Sequence, residues 1–174
     1  RLQSGAVMNI AGAKRAAGFC LRKANSEDLD KINDVVAAAM DTWDLAARVK
    51  RISLPLYRYQ PHDLEHLQIV IAEAGASDIV GVAALEQAPT SDFPAEPSAS
   101  ILHGLYVDPA CHGKGIGGRL LKRVEEIAAL TDARGLLVKA QHQAVEFFVR
   151  RGFKTLPIED ESRDYPYRLW KHFS

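Results

Sequence analysis

Four closely spaced glycines are the feature of this sequence with the clearest chemical meaning. Gly113, Gly115, Gly117 and Gly118 lie between an apolar segment and an amphipathic one. Glycines let successive backbone N–H groups converge, and the N-terminus of a helix adds partial positive charge. The cluster therefore predicts a site for an anion such as a phosphate group. A merely flexible turn is the alternative.

Two nucleotide-binding motifs fit the cluster poorly. The glycines satisfy G-x-G-x-x-G, but the residues 108–112 separate Val107 from the first glycine, where the dinucleotide motif needs a tight turn. Gln141 stands where that motif places an acidic residue. A P-loop is excluded because no Gly-Lys-Ser/Thr occurs. The phosphate must therefore belong to another kind of ligand.

A third motif has the spacing of a zinc-enzyme pattern. His62-Asp-Leu-Glu65-His66 matches H-x-x-E-H, in which two histidines share one helix face. The motif directly follows Pro61, so we expect helix for its first turn alone. No third ligand is evident in the sequence. We interpret the motif as a surface pair of histidines and expect no bound metal.

Composition narrows the class of protein. The 174 residues include 22 basic and 22 acidic side chains, a balance that argues against a nucleic-acid partner. No apolar stretch approaches the roughly 18–20 residues that cross a bilayer, so we expect no membrane association. A hydrophobic fraction of 47% excludes a disordered chain. Two cysteines, Cys20 and Cys111, are too few to staple such a fold, which favours a cytoplasmic location.

The elements that must position the glycines alternate between strands and helices. Apolar and β-branched runs predict seven strands, over 19–24, 67–74, 78–86, 100–107, 135–141, 153–158 and 165–172. Apolar periodicity predicts helices after Asn25, after Gly118 and over 143–151, where Gly152 is a typical C-cap. Prolines predict a surface loop over 88–98 and an irregular segment over 41–66.

This order predicts one mixed α/β or α+β domain over residues 18–174. Residues 1–17 are expected to be a disordered N-terminal segment or one foreign to the native chain. No internal repeat or linker divides the remainder.

Two spaced motifs in this order resemble those of the GNAT superfamily of N-acyltransferases. Val107-Asp-Pro-Ala-Cys-His-Gly-Lys-Gly-Ile-Gly-Gly118 is similar to its acyl-CoA motif, Val-x-Pro-x-x-(Gln/Arg)-Gly-x-Gly-x-(Gly/Ala). Downstream, Gln141-x-x-Ala144-x-x-x-Phe148-x-x-x-Gly152-Phe153 is similar to Asn-x-x-Ala-x-x-x-Tyr-x-x-x-Gly-Phe. The resemblance covers some 150 residues and implies a mixed seven-stranded sheet with four flanking helices, in which strands 4 and 5 are parallel and splay apart.

The resemblance also implies how acetyl-CoA, the acyl-donor substrate, is bound. Backbone N–H groups of the loop would hold the pyrophosphate, and the pantetheine arm would pair with the exposed main chain of the fourth strand. The residues implied in donor binding are Leu105, Tyr106, Val107, His112, Gly113, Lys114, Gly115, Ile116, Gly117, Gly118, Gln141 and Phe148.

Two of these positions depart from the family pattern. His112 stands where Gln or Arg is usual, and we expect its side chain to contact phosphate. Phe148 stands where many members carry a tyrosine that protonates the departing thiolate, and phenylalanine has no proton to give. Water, another hydroxyl, or unaided departure of the thiolate would then replace that acid.

An amine acceptor also needs a base, because an alkyl ammonium is mostly protonated at neutral pH. His103 on the fourth strand is the first candidate for this base, and Glu86 at the end of the third strand is the second. Each also has an explanation without catalysis: His103 as a strand histidine hydrogen-bonded within the sheet, and Glu86 as a solvated carboxylate. Strand alternation puts His103 on the same side as Leu105 and Val107, so whether it faces the acceptor depends on the splay of the strands and on any bulge there. Three aromatic residues fall where this family covers its acceptor, and we interpret them first as core: Trp43, Tyr57 and Tyr59.

The sequence therefore predicts an N-acetyltransferase that moves an acetyl group from acetyl-CoA to a primary amine. A non-catalytic acyl-CoA-binding sensor or structural domain is the alternative. The acceptor, a small molecule or a peptide, is left open, as is the choice between a monomer and a homodimer.

Overall fold

The chain folds into a single mixed sheet with helices on both faces. A computed structural model describes residues 18–86, 98–162 and 164–174. Its strands are β1 Phe19–Lys23, β2 Gln68–Ala74, β3 Asp78–Glu86, β4 Ala99–Val107, β5 Gly135–Lys139, β6 Lys154–Thr155 and β7 Arg168–His172. Its α-helices are α1 Leu29–Asp41, α2 Ala47–Tyr57, α3 Asp63–His66, α4 Ile116–Ala129 and α5 Val145–Val149.

The sheet order is β1-β2-β3-β4-β5-β7-β6. β4 and β5 pair in parallel, whereas the other neighbouring strands pair antiparallel. The predicted mixed sheet of seven strands, with parallel strands 4 and 5, is confirmed. The helices are the expected four together with α3, a single turn.

Alternation along the central strands divides the core in two. On β3, Val80, Ala83 and Leu85 pack beneath α4, with Leu120 and Val124 of that helix. Val82 and Ala84 of β3 pack against α1 on the opposite face. The helices α1 and α4 each bury the apolar stripe that their periodicity predicts, and the sheet lies between these two layers.

The entry into α1 is fixed by a capping box. The Asn25 side chain accepts a hydrogen bond from the Glu27 N–H at 2.9 Å, and the Asp28 carboxylate accepts one from the Asn25 N–H at 2.8 Å. Arg22 on β1 also binds Asp28 through two hydrogen bonds of 2.8 Å. The cap therefore ties the helix start to the first strand.

Several predicted boundaries differ from the structure. The segment 41–66 contains α2 and α3 rather than irregular chain; the sequence concealed α2 because this helix buries none of its residues and contains Pro55. The predicted helix 143–151 is a 3₁₀ turn followed by the short α5, ending near Gly152, whose φ of 88° is left-handed. The predicted strand 153–158 pairs over two residues alone.

Two expectations fall on residues outside the described chain, namely the loose segment 1–17 and most of the proline-rich loop 88–98. Within the described residues, no helix has the length and apolar character needed to span a membrane.

Candidate functional site

The parallel strands separate halfway along β4. Their pairing runs from Ala99 opposite Gly135 to Leu102 opposite Val138, and then stops. β4 nevertheless continues against β3, as far as Val107 opposite Gly81. The second half of β4 therefore has an open edge in the middle of the sheet.

Backbone alternation determines which groups face that open edge. The Asp108 N–H donates to the Val80 carbonyl at 2.9 Å, so Asp108 and Tyr106 direct their N–H groups towards β3. Leu105 and Val107 consequently direct theirs towards the opening. The His112 ring nitrogen Nε2 lies 3.1 Å from the Val107 carbonyl oxygen on the same edge. His112 thus contacts main chain in this structure.

The glycine loop lies at the end of this open edge. Gly113 and Gly115 have φ of 75° and 78°, and Gly115 is the N-cap of α4. The Arg119 N–H donates to the Gly115 carbonyl at 3.1 Å, so the N–H groups of residues 116–118 precede that first helical bond. Left-handed glycines before a helix N-terminus give the concave arrangement of N–H groups that binds anions.

Arg151 lies directly over this loop, and sequence reasoning missed it. A β-carbon added to Gly118 would meet the Arg151 guanidinium at 3.0 Å. The guanidinium also stacks 3.7 Å from the centre of the Phe147 ring and donates to the Phe147 carbonyl at 2.9 Å. A cation beside the positive end of a helix is unfavourable unless an anion lies between them. The arrangement is therefore suited to a phosphate.

A cavity of about 890 Å³ connects the glycine loop, the open edge of β4 and the α1 side of the sheet. The loop, Phe147 and Arg151 line one part of it. Gln141, Ala144 and Phe148 line it on the β5 side. Towards α1 the lining includes Trp43, Tyr57, His103, Tyr106, Gln143 and Tyr165.

Phe148 supplies an apolar wall. It is buried, and its ring makes edge-on contacts with Phe147 and Phe153 at centroid distances of 5.1 and 5.4 Å. Lys114, in contrast, is not among the described residues that line the cavity. Its ammonium lies 3.4 Å from the Ala110 carbonyl oxygen.

The two residues suggested as bases form one pair. The His103 Nε2 lies 2.6 Å from the Glu86 Oε2, and the two side chains are 41% and 34% exposed. His103 lines the cavity, whereas Glu86 does not line it and instead contacts the His103 imidazole. The pair joins the C-terminal end of β3 to the middle of β4.

A β-bulge in β4 changes the side that plain alternation would give to His103. Gly104 pairs with Ala84 and Leu102 with Leu85, which leaves His103 without a register partner. The extra residue reverses the alternation, so Leu102 and Leu105 pack in the same core cluster. His103 therefore points away from Leu105 and Val107, towards Glu86 and α1.

A comparison with models of known families identifies the family of this chain. Residues 37–165 match the family model described as an acetyltransferase (GNAT) domain. The chain belongs to the GNAT acetyltransferase family. No curated protein matches it in sequence.

Solved GNAT structures share the fold at low identity. A Brucella melitensis GNAT acetyltransferase in complex with acetyl-CoA is 22% identical, with a TM-score of 0.64 over 90% of this chain and 89% of that one. The Thermoplasma acidophilum paia N-acetyltransferase in complex with coenzyme A is 16% identical, with a TM-score of 0.72 over 90% and 99%. The Neisseria gonorrhoeae N-acetylglutamate synthase, in complex with coenzyme A and L-arginine, is 21% identical, with a TM-score of 0.64 over 88% and 33%.

The aromatic residues of this GNAT domain divide between core and cavity. Tyr59 is buried, and its backbone is held by Asn33, which accepts from the Tyr59 N–H at 2.8 Å and donates to its carbonyl at 2.9 Å. Trp43 and Tyr57 line the cavity instead. Burial raises the pKa of both Tyr59 and Tyr106.

Tyr165 also lines the cavity of the GNAT domain, and sequence reasoning placed it simply in a strand. Partial burial raises the pKa of its phenol, so the hydroxyl stays protonated at neutral pH. Tyr165 lies before β7, which begins at Arg168, and the sequence pattern did not distinguish it from the residues of that strand.

The H-x-x-E-H motif does not form part of a metal site in the described residues. His62 precedes α3, and its ring lies 3.5 Å from the Asp63 carboxylate. Across 18–86, 98–162 and 164–174, no three His, Cys, Asp or Glu side chains group as ligands would.

Proposed function

We propose that this GNAT domain transfers an acetyl group from acetyl-CoA to a primary amine by direct attack in a ternary complex. The observation that carries the proposal is the continuous cavity, which leads from the glycine loop past the open edge of β4 to the His103–Glu86 pair. A donor can therefore enter from one face of the sheet while an acceptor approaches from the other.

The donor would be held mainly by backbone. The pyrophosphate lies over the residues 113–118 with Arg151 on its outer side, and the pantetheine amides pair with Leu105 and Val107. His112 would exchange its bond with the Val107 carbonyl for a contact with the donor. Gln141 and Phe148 would flank the arm on the β5 side. The acetyl-CoA and coenzyme A complexes of two relatives support this donor.

The reaction needs no covalent enzyme intermediate. The amine nitrogen attacks the thioester carbonyl, so that an N–C bond forms and the C–S bond breaks. The acceptor enters as an ammonium and leaves as an amide; one of its two lost protons goes to the base and one ends on the CoA thiol. Holding the two reactants in line supplies much of the rate acceleration, and a main-chain N–H on the open edge stabilises the developing oxyanion.

His103 would be the base. It faces the cavity, and a histidine side chain accepts protons near neutral pH. Glu86 fixes the tautomer of the ring and stabilises the imidazolium that forms, as a carboxylate does in other His–carboxylate pairs. Phe148 provides no proton, so the thiolate departs without help from that position.

Thiol release from acetyl-CoA, measured with a panel of primary amines, tests the proposal, together with calorimetric binding of CoA. We expect CoA to bind and at least one amine to be acetylated. CoA binding with no turnover of any amine would instead identify the non-catalytic acyl-CoA-binding alternative.

The role of the base is tested by His103→Gln. We expect kcat/KM to fall by about 10²–10⁴, the usual effect of losing a positioned base, and the acidic limb of the pH–rate profile to disappear. Glu86→Gln should lower the rate less, since it leaves the imidazole in place. Near-normal turnover with an intact acidic limb in His103→Gln would remove this residue from the mechanism.

A further inference from the structure

Aromatic rings surround the part of the cavity that faces α1. The Trp43 and Tyr57 rings meet edge to face at 5.2 Å, and Trp43 stacks on Tyr106 at 6.5 Å between centroids. Tyr165 lines the same cavity. We call these four residues the aromatic wall. Flat rings set at different angles offer an apolar slot, and their faces attract cations.

The charges around the slot are unusual for a site that receives a cationic amine. Among the described residues that line the cavity, none is Asp or Glu. The ionisable lining residues other than tyrosine and cysteine are His103, His112, Lys139 and Arg151. Glu86, behind His103, already bonds to the imidazole at 2.6 Å. A polyamine would bring several positive charges to walls whose described residues offer it no carboxylate to contact.

The aromatic wall is held in place without a ligand. The Trp43 backbone N–H donates to the Met40 carbonyl at 3.0 Å, and the Gln143 side chain donates to the Thr42 carbonyl at 3.3 Å. The Tyr106 ring lies against Gly104, where an added β-carbon would come within 2.4 Å of it. An acceptor therefore binds to rings that need little ordering, which favours affinity.

We infer that the acceptor is an arylalkylamine, a primary amine with one positive charge and a flat apolar body. This inference rests on the proposed function and adds the class of acceptor to it. The acceptor's ring lies against Trp43 and Tyr57, and its amine reaches the thioester beside His103. The cation is drawn to the ring faces until His103 removes its proton.

A comparison of acceptors with the wild-type protein is the decisive experiment. The probes are phenethylamine, spermidine and L-glutamate, each titrated against saturating acetyl-CoA while thiol release is followed. We expect kcat/KM for phenethylamine to exceed that of either other amine by at least about 10-fold. A preference for spermidine or L-glutamate would overturn the acceptor class and leave the acetyltransferase function standing. No turnover of any amine would count against both proposals.

Neighbouring positions on α2 provide a matched pair of variants. Tyr57→Ala should raise KM for phenethylamine by about 10-fold or more and leave the calorimetric Kd of CoA unchanged. Leu56→Ala, at a side chain that is 84% exposed, should change neither value. An unchanged KM in a folded Tyr57→Ala protein would contradict the inference; should that variant fail to fold, Trp43→Phe, which shortens the wall but keeps a ring, replaces it with the same expected direction.

Discussion

At the scale of single residues, a substitution of Phe148 tests whether this position contributes packing or proton transfer. Its buried ring contacts Phe147 and Phe153 and carries no exchangeable proton. We expect Phe148→Leu to change kcat by less than about 10-fold, because loss of a general acid usually costs 10²–10⁴ and none is present at this position. Steady-state kinetics with saturating donor measures the effect. A loss above about 100-fold in a folded variant would show that this ring does more than pack.

Arg151 offers a second test at this scale. Its guanidinium lies beside Gly118 at the start of α4 and is kept there by the Phe147 ring and carbonyl. Because hydrogen bonds to charged groups contribute about 1.5–3 kcal/mol, Arg151→Met should weaken CoA binding about 10- to 100-fold and reduce its dependence on salt.

Arg150→Met is the matched control, since Arg150 is exposed and pairs with Glu146 on the surface of α5. Calorimetry at two salt concentrations measures both variants. Equal CoA affinity in the two would assign Arg151 a purely structural role.

At the scale of elements, a side chain added to the glycine loop can block the approach of a phosphate. A β-carbon on Gly117 would lie 3.4 Å from the Phe147 ring, an ordinary contact, so Gly117→Ala should fold and bind CoA with modest loss. Gly117→Val adds branched methyl groups where the phosphate must approach the main chain, and we expect it to abolish measurable CoA binding. Thermal unfolding monitored by circular dichroism checks the fold of both. Wild-type affinity in a folded Gly117→Val would show that phosphate binds elsewhere.

The capping box makes a prediction about pH. The Arg22 guanidinium lowers the pKa of the Asp28 carboxyl, with help from the Asn25 N–H, and these effects exceed the opposing effect of burial. The stabilisation is therefore complete above the ordinary Asp pKa of about 4 and is lost as pH falls through the lower folded value.

Asp28→Asn should reduce the free energy of unfolding by about 1–2 kcal/mol at pH 7, since it loses the charge of a cap and of a partly exposed ion pair. The difference from wild type should shrink below about pH 3. Urea titrations at both pH values measure it, with Asp30→Asn on the exposed face of α1 as the control. A deficit that is the same at both pH values would mean that the charge of Asp28 is not responsible.

At the scale of the whole molecule, the sequence predicts what depends on local pattern. The positions of the strands along the chain, the left-handed Gly152 and the loop before α4 follow from alternation, glycine conformation and two spaced motifs. The features that the sequence could not predict depend on contacts between residues that lie far apart in the chain. The bulge at His103 arises from the register between β3 and β4, and Arg151 reaches Gly118 only after α5 packs beside α4.

The helix α2 shows a different limit. Periodicity locates helices that bury an apolar stripe, but Val49, Ile52 and Leu56 are 45%, 62% and 84% exposed. The buried apolar stripe that reveals a helix in a sequence is therefore missing, and Pro55 argues locally against the helix.

The separation of β4 from β5 has a consequence for hydrogen exchange. A strand in the middle of a sheet normally protects all its amides, but here the Leu105 and Val107 amides face an opening while the Tyr106 amide faces β3. In the free protein, deuterium should therefore enter at alternate positions along the centre of the fold. Saturating CoA should slow exchange at Leu105 and Val107 by at least about 10-fold and leave Tyr106 unchanged. The donor would then act as a temporary eighth strand in the gap where β4 and β5 no longer pair.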